Sequence, residues 1–453
     1  MKVKTLVRNP DHYLRETKRD IFKVPRNYDP SLHPFQGPRE YTRALNATKL
    51  DRVFAKPFVG NLKGHTEGVS ALGKHPSRLS VIVSGAYNGE VRIWDLSQQT
   101  CLHHLQAHES YVRGLTFDVS GEHFISVGDD KTIKTWDVEN CGTSKHPANV
   151  IISKSVLLGI THHRTENKFA TCGEVCQLWD ETRNEPIRIF EWNVDSLHNI
   201  AFNQIETHVL ASCASDRSII LYDSRETGPV RKLVMKLRSN QVVWNPMEAY
   251  ILSVANEDYN IYSYDTRKFN APIMIHKDNV GAVTCLDYAP TGKEIVSGSY
   301  DRSIRIFPVH KGHSRDVYHT KRMQHVLSVS WSLDNKYICS ASDEMNIRIW
   351  KARASEKLGV LKPRERDALH YNEMLKSKFA GHPQIRRIAR HRQIPKYMFN
   401  ARNQLQYHFP STIIEIILLK LQKADPQDID YFLLDFLSQK YWQFELRAQR
   451  KYG

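Results

Sequence analysis

Val91-Arg92-Ile93-Trp94-Asp95 reads as a short apolar strand closed by an aromatic and an acid. The figure returns as Ile133-Lys134-Thr135-Trp136-Asp137, Cys176-Gln177-Leu178-Trp179-Asp180, Ile219-Ile220-Leu221-Tyr222-Asp223 and Ile261-Tyr262-Ser263-Tyr264-Asp265. It ends with Ile304-Arg305-Ile306-Phe307 and Ile347-Arg348-Ile349-Trp350. The closing aromatics are separated by 42, 43, 43, 42, 43 and 43 residues. Self-similarity at such a period signals a repeat architecture. Six residues before the aromatics stand Asn88, Asp130, Gly173, Asp216, Asp258, Asp301 and Glu344. An Asp or Asn there can cap the backbone N–H groups of a tight turn. Ten residues before, five units carry Ser84, Ser126, Ser212, Ser297 and Ser340. Seven units of four short strands predict an all-β, seven-bladed propeller. A blade buries its faces only against its neighbours, so the ring must close. Phe58-Val59-Gly60-Asn61-Leu62 is expected to close it as the outer strand of the last blade, beside the strand ending at Trp350.

Gly64-His65 and Ala107-His108 open the first two units. With them the pattern resembles the WD-repeat family, in which His, Ser, Asp and Trp form a buried hydrogen-bonded set in each blade. The resemblance implies one such set from His108, Ser126, Asp130 and Trp136. It implies a second from His65, Ser84, Asn88 and Trp94, with Asn in place of Asp. The other five units lack the Gly-His opening. These positions read as structural, because their periodicity already accounts for them.

Within 453 residues the net charge is +15. Residues 1–60 hold 13 basic and 6 acidic side chains, and residues 351–402 hold 14 and 4. Residues 403–453 hold 6 of each, which leaves 31 basic and 33 acidic over 61–350. Basic flanks on a neutral body fit a scaffold whose arms meet a polyanion. The seven cysteines are scattered without a repeating spacing, which argues against a disulfide framework and for a reducing compartment. No apolar run opens the chain, so no secretory signal is expected. The longest apolar stretch, 413–421, carries Glu415 and Lys420 and is too short to span a bilayer, so no membrane partner is expected.

Neither a phosphate-binding loop of Walker type nor a G-x-S-x-G elbow occurs. Cys172 and Cys176, near His162 and His163, lack C-x-x-C spacing and read as small buried residues of the third blade rather than metal ligands. No catalytic residue, metal, cofactor or small-molecule substrate is therefore expected.

Outside the repeats the sequence is distinctive. Val24-Pro25-Arg26-Asn27-Tyr28-Asp29-Pro30, Pro38-Arg39-Glu40-Tyr41 and Arg43-Ala44-Leu45-Asn46-Ala47-Thr48-Lys49-Leu50 precede them. Ser355-Glu356-Lys357-Leu358-Gly359 and the run from Arg386 through Arg387, Arg390 and Arg392 to Lys396 follow. Trp244-Asn245-Pro246-Met247-Glu248-Ala249 and the stretch from Tyr318 to Val326 lie within the ring. Together these are similar to the Sof family of WD-repeat proteins, from Met1 to about Arg402.

The resemblance implies a domain order: a basic N-terminal extension over 1–52, the propeller over 53–351 and a basic, helical SOF-type arm over 352–402. It implies a nucleolar scaffold of the small-subunit processome, needed for small-subunit (18S) rRNA maturation, with pre-ribosomal RNA and box C/D snoRNP and processome proteins as partners. It also implies a second role, substrate receptor of a cullin-4 RING ubiquitin ligase. Receptors of that class carry an aromatic-Asp-x-Arg box after a blade's third strand. Tyr222-Asp223-Ser224-Arg225 and Tyr264-Asp265-Thr266-Arg267 match it in consecutive units. In such a box the Asp can orient the Arg, whose planar fork then meets a partner's acceptors. The alternative is that both acids simply close their blades.

In the arm, a helix is expected from Arg364 through Lys376, ending near Gly381-His382-Pro383. Beyond it, Arg386 and Arg390 share one side of a helix while Ile385, Ile388 and Ala389 share another. One face can dock while Arg386, Arg387, Arg390 and Arg392, with Lys396, grip phosphates or an acidic protein. Residues 403–453 depart from the family, which leads one to expect a Lys- and Arg-rich end. Here the tail is neutral and amphipathic, and reads as two apolar helices.

Overall fold

The computed structural model describes residues 29–142, 146–192 and 194–404. The tail read as two helices, and the motif from Val24 to Tyr28, lie outside them. The described strands form seven four-stranded antiparallel sheets. Blades one to six occupy residues 69–106, 112–152, 159–190, 197–234, 239–277 and 283–318. Blade seven combines 326–351 with Phe58–Lys63.

Local chemistry explains each blade. The second strand is buried on both faces after its first residue and is therefore largely apolar or small, as in Val81–Ala86. It turns into the third strand through a residue with positive φ: Gly89, Lys131, Arg217, Tyr259, Arg302 and Met345. A side chain in that conformation costs about 1 kcal/mol. In blades two, four, five and six the preceding Asp offsets it by accepting a backbone N–H two residues on, as in Thr132 to Asp130 at 3.2 Å and Ser303 to Asp301 at 2.9 Å. Blade three has no room for this device, since Cys172 pairs directly with Cys176 across the turn.

Ring closure follows the sequence expectation. Phe58–Lys63 pairs antiparallel with Asn346–Lys351, placing Leu62 opposite Ile347 and Phe58 opposite Trp350. The innermost strands touch their neighbours all the way round, from Val69–Lys74 back to Val326–Trp331.

In blade two the full buried set forms. His108 Nδ1 lies 2.9 Å from the Asp130 carboxylate and Nε2 lies 2.7 Å from Ser126 Oγ, to which Trp136 Nε1 also donates at 3.0 Å. Blade one corrects the second set. His65 and Trp94 do meet Ser84 Oγ, at 2.6 and 2.7 Å. Asn88 does not reach His65; it bonds Thr66 Oγ1 at 2.7 Å. Glu90 stands beside the imidazole instead, 3.6 Å from Nδ1, and its other oxygen is taken by Arg92 at 2.6 Å. Burial then pushes the His65 pKa down to about 4, so the ring stays neutral at physiological pH.

Later blades keep fragments of the set. Trp179 donates to Thr171 Oγ1 at 2.9 Å and Trp350 to Ser340 Oγ at 2.8 Å. In blade six Phe307 has no donor, and Ser297 Oγ is left buried without a partner among the described residues.

Outside the ring lie the helices α1 (Gln36–Val53), α2 (Pro363–Lys378) and α3 (Pro383–Arg390), which pack together. Both α2 and α3 begin on a proline, which suits the first turn because its missing N–H would be unbonded there anyway. The three helices share one small core around Ala44, Leu375 and Ile385.

Candidate functional site

Two surfaces carry the side chains singled out in the sequence. The first is the pair of aromatic-Asp-x-Arg boxes at the ends of the third strands of blades four and five, Ser218–Asp223 and Asn260–Asp265. Tyr222 and Tyr264 are buried, and Tyr222 meets Ser212 Oγ at 3.0 Å, so the aromatic of each box belongs to its blade's interior. Arg225 and Arg267 are both exposed but differently held. Asp265 accepts from Arg267 three times: backbone N at 2.9 Å, Nε at 3.1 Å and Nη2 at 2.9 Å. The same guanidinium lies 4.4 Å above the Tyr250 ring. These bonds hold the Asp265 carboxyl below the usual carboxylate range. Among the described residues Asp223 receives only the Arg225 backbone N–H, at 2.9 Å. Box five is thus preorganised through its Asp and box four is not.

Arginines of the preceding outer strands brace the boxes. Arg231 Nη1 donates to Thr266 O and Arg188 Nη1 to Glu226 O, each at 2.8 Å. Those ties hold the two box turns at fixed positions along one rim.

The second surface is the helical arm. α3 turns Ile385 into the core shared with α1 and leaves Arg386, Arg387 and Arg390 exposed. The amphipathic split expected for this segment is therefore present. Arg392 behaves differently. It is half-buried, donates to Ala389 O at 2.6 Å and His391 O at 3.0 Å, and lies 3.7 Å from Asp316. Burial lowers its pKa, and the neighbouring Arg52 adds to that. Lys396 belongs to a second unit of the chain, which begins at Ile394, and is exposed there on a helix that runs from 396 to the end of the described residues.

The role of α1 was not legible as a site. Tyr41 OH bonds Gln384 at 2.6 Å, Arg43 bonds Asn372 at 3.0 Å, and Lys378 pairs with Glu40 at 2.7 Å. Arg52 joins Ala389 O at 2.6 Å and Asp316 at 3.3 Å. Asp316, on the outer strand Asp316–Tyr318 of blade six, is thereby faced by Arg52, Arg315 and Arg392. One buried carboxylate gathers three guanidiniums and moors the helices to the ring.

Metal chemistry finds little support among the described residues. Cys172 and Cys176 are fully buried, and burial raises both thiols well above their usual pKa. They fit the structural reading. Asp118, His162 and Glu181 bring ligand atoms within 4.8 Å of one another. His162 Nε2, however, lies 2.7 Å from Glu181 Oε1, a hydrogen bond. Two ligands at about 2.0–2.1 Å from a tetrahedral zinc would stand well over 3 Å apart. The trio works as a tie between blades two and three.

Comparison with known proteins agrees with this architecture. Residues 56–95, 99–137, 271–307 and 309–351 match the WD domain, G-beta repeat, and residues 352–411 match the Sof1-like domain. The chain is 58% identical over 402 residues to DDB1- and CUL4-associated factor 13 of Xenopus tropicalis, covering 88% of this chain and 90% of that protein. The human protein of that name is 56% identical over the same length, with the same coverage. Protein SOF1 of Saccharomyces cerevisiae is 42% identical over 426 residues, covering 88% of this chain and 87% of that protein. A seven-bladed ring of WD repeats followed by a Sof1-like segment, matched along nearly the whole length of these relatives, makes the chain a member of the Sof family of WD-repeat proteins.

Proposed function

We propose that this protein is a non-enzymatic scaffold of the nucleolar small-subunit processome, required for 18S rRNA processing, and that it works in the nucleus and nucleolus. The observation that carries this reading is α3: one face is fixed in the core with α1, while Arg386, Arg387 and Arg390 face solvent without carboxylate partners among the described residues. Three arginines on one short, anchored helix suit a phosphate backbone, whose recognition is led by charge. No base-reading aromatic accompanies them on the helix, so contact with pre-ribosomal RNA or with box C/D snoRNP particles is backbone-led. The Sof1 relative supports the pathway. Cross-linking to RNA in cells, with the linked residues mapped, should place adducts on 386–390. Adducts confined to the propeller would overturn the assignment.

A second role, receptor for a cullin-4 ligase, is favoured by the paired boxes and by the name of the vertebrate relatives. Arg267 is the stronger anchor, because Asp265 and Tyr250 already fix its fork. Changing Arg225 and Arg267 together to Ala should abolish co-purification with the ligase adaptor. Each change is on the surface and should cost under about 0.5 kcal/mol of stability. Arg267→Ala alone should account for most of the loss. Adaptor binding undiminished in the double variant would reduce both residues to solvated blade ends.

A further inference from the structure

The boxes lie where third strands end. The opposite mouth of the channel is built from the turns after the second strands and the residues ahead of the first strands, which meet because Val69 pairs with Ala86 and Val326 with Ser342. Seven residues before the closing aromatics, this mouth carries three acids: Asp129, Glu257 and Asp343. Two have an arginine from their own blade. Arg113 forks onto Asp129 with two bonds of 2.8 Å and lies 5.3 Å from the centre of the Tyr111 ring. Arg238 meets Glu257 at 2.8 Å.

Asp343 has no such partner among the described residues, and is exposed. In blade seven the residue corresponding to Arg238 is His325, whose Nδ1 lies 3.0 Å from Tyr300 O. Aromatic residues stand near the carboxylate: the Asp343 N–H donates to His325 O at 3.0 Å, and Tyr87 borders Asp343 across Gly68. Tyr300 and His325 stand edge to face at 4.8 Å, and Tyr87 and Tyr111 at 5.1 Å. A Cβ built on Gly68 would lie 2.9 Å from Asp343 Oδ1 and 3.1 Å from Tyr87 Cδ2, so acid and ring border one small space that glycine keeps open. Tyr111 and Tyr300 remain 46% and 48% exposed. Core packing does not account for rings so open beside an acid that has no cation paired to it among the described residues.

We infer that Asp343, Tyr87 and Tyr300 form a receptor for an arginine side chain presented by a partner polypeptide at this mouth. The neighbouring Arg113, held by an acid and stacked on a tyrosine, shows the same chemistry completed within the chain. A carboxylate accepts a guanidinium fork, and tyrosine faces attract the cation. An RNA phosphate would be repelled by Asp343. This surface is separate from the arginines of α3, and the inference does not depend on their role.

The test uses the full-length protein and a fluorine-labelled pentapeptide, Gly-Ala-Arg-Ala-Gly, followed by fluorine NMR. Its citrulline counterpart keeps the shape and removes the charge. The arginine peptide should bind at least about tenfold more tightly than the citrulline peptide, as a charge-assisted contact requires. Asp343→Asn should erase that difference. Tyr300→Ala should weaken binding, and Tyr300→Phe, which keeps the ring, should restore it. Glu replacements on α3 should leave peptide binding unchanged. Equal affinity for the two peptides, no saturable binding, or full binding by Asp343→Asn would overturn the inference. So would a single-stranded oligonucleotide whose binding is lost in Tyr300→Ala, which would assign the rings to nucleobases.

Discussion

Leu62→Asp should open the propeller. Leu62 is fully buried in the closing strand and sits in one cluster with Val69, Ile82, Trp94, Ile347 and Ile349. The cluster joins the last blade to the first. Removing the leucine forfeits about 2–3 kcal/mol of burial. A carboxylate left there without a partner costs several kcal/mol more. Domains are usually stable by about 5–15 kcal/mol, so one substitution consumes most of that margin. Because each blade relies on its neighbours, loss of the seam exposes two blade faces and not one strand alone. Ile152→Asp is the control. Ile152 also lies on an outer strand but is 79% exposed, and its replacement should cost under about 0.5 kcal/mol. Size-exclusion chromatography and thermal melting distinguish the two. The Leu62 variant should aggregate or melt far below the parent, and amides of 346–351 should lose protection from exchange. A monomer that melts with the parent would show that the ring does not depend on this seam.

That seam was readable in advance, and the reason is periodicity. Seven aromatics at nearly constant spacing give the blade count, and a leftover strand-like segment ahead of Gly64 then has one place to go. The blade-two set was equally plain, since all four residue types are present at their spacing. Blade one misled because Asn88 occupies the right position, while Glu90, two residues on, carries the charge that faces His65. Position in a repeat predicts a turn better than it predicts which side chain reaches inward. The helical core was legible only in part. α2 and the apolar face of α3 follow from local pattern, but their partner α1 lies over 300 residues earlier, as the Arg43–Asn372 and Arg52–Ala389 bonds show. Asp316 drew no attention in the sequence, because an acid on an outer strand is ordinary until three distant arginines converge on it. That convergence also separates Arg392 from the arginines beside it, a distinction that charge counting cannot make.

The same distinction shapes the most demanding test of RNA contact. Replacing Arg386, Arg387 and Arg390 with Glu alters only exposed side chains and should leave the fold intact. Arg392 must be spared, since its bonds to Ala389 O and His391 O and its approach to Asp316 belong to the mooring of the helices. Each exposed arginine close to a phosphate contributes on the order of 1 kcal/mol in water. Losing three such contacts should weaken binding to single-stranded pre-ribosomal RNA by about a hundredfold, and the new repulsions add to that. Each contact also releases counterions, with a slope near −0.7 in log affinity against log salt for single strands. The variant's slope should therefore be shallower by about 2. In cells it should leave pre-ribosomal particles and stall small-subunit rRNA processing while the propeller stays folded. Arg392→Glu should behave otherwise, lowering the melting temperature because it places a carboxylate beside Asp316 and Ala389 O. If the triple variant keeps its particles, its salt slope and its processing activity, α3 is a solvated helix and the RNA contact lies elsewhere on the chain.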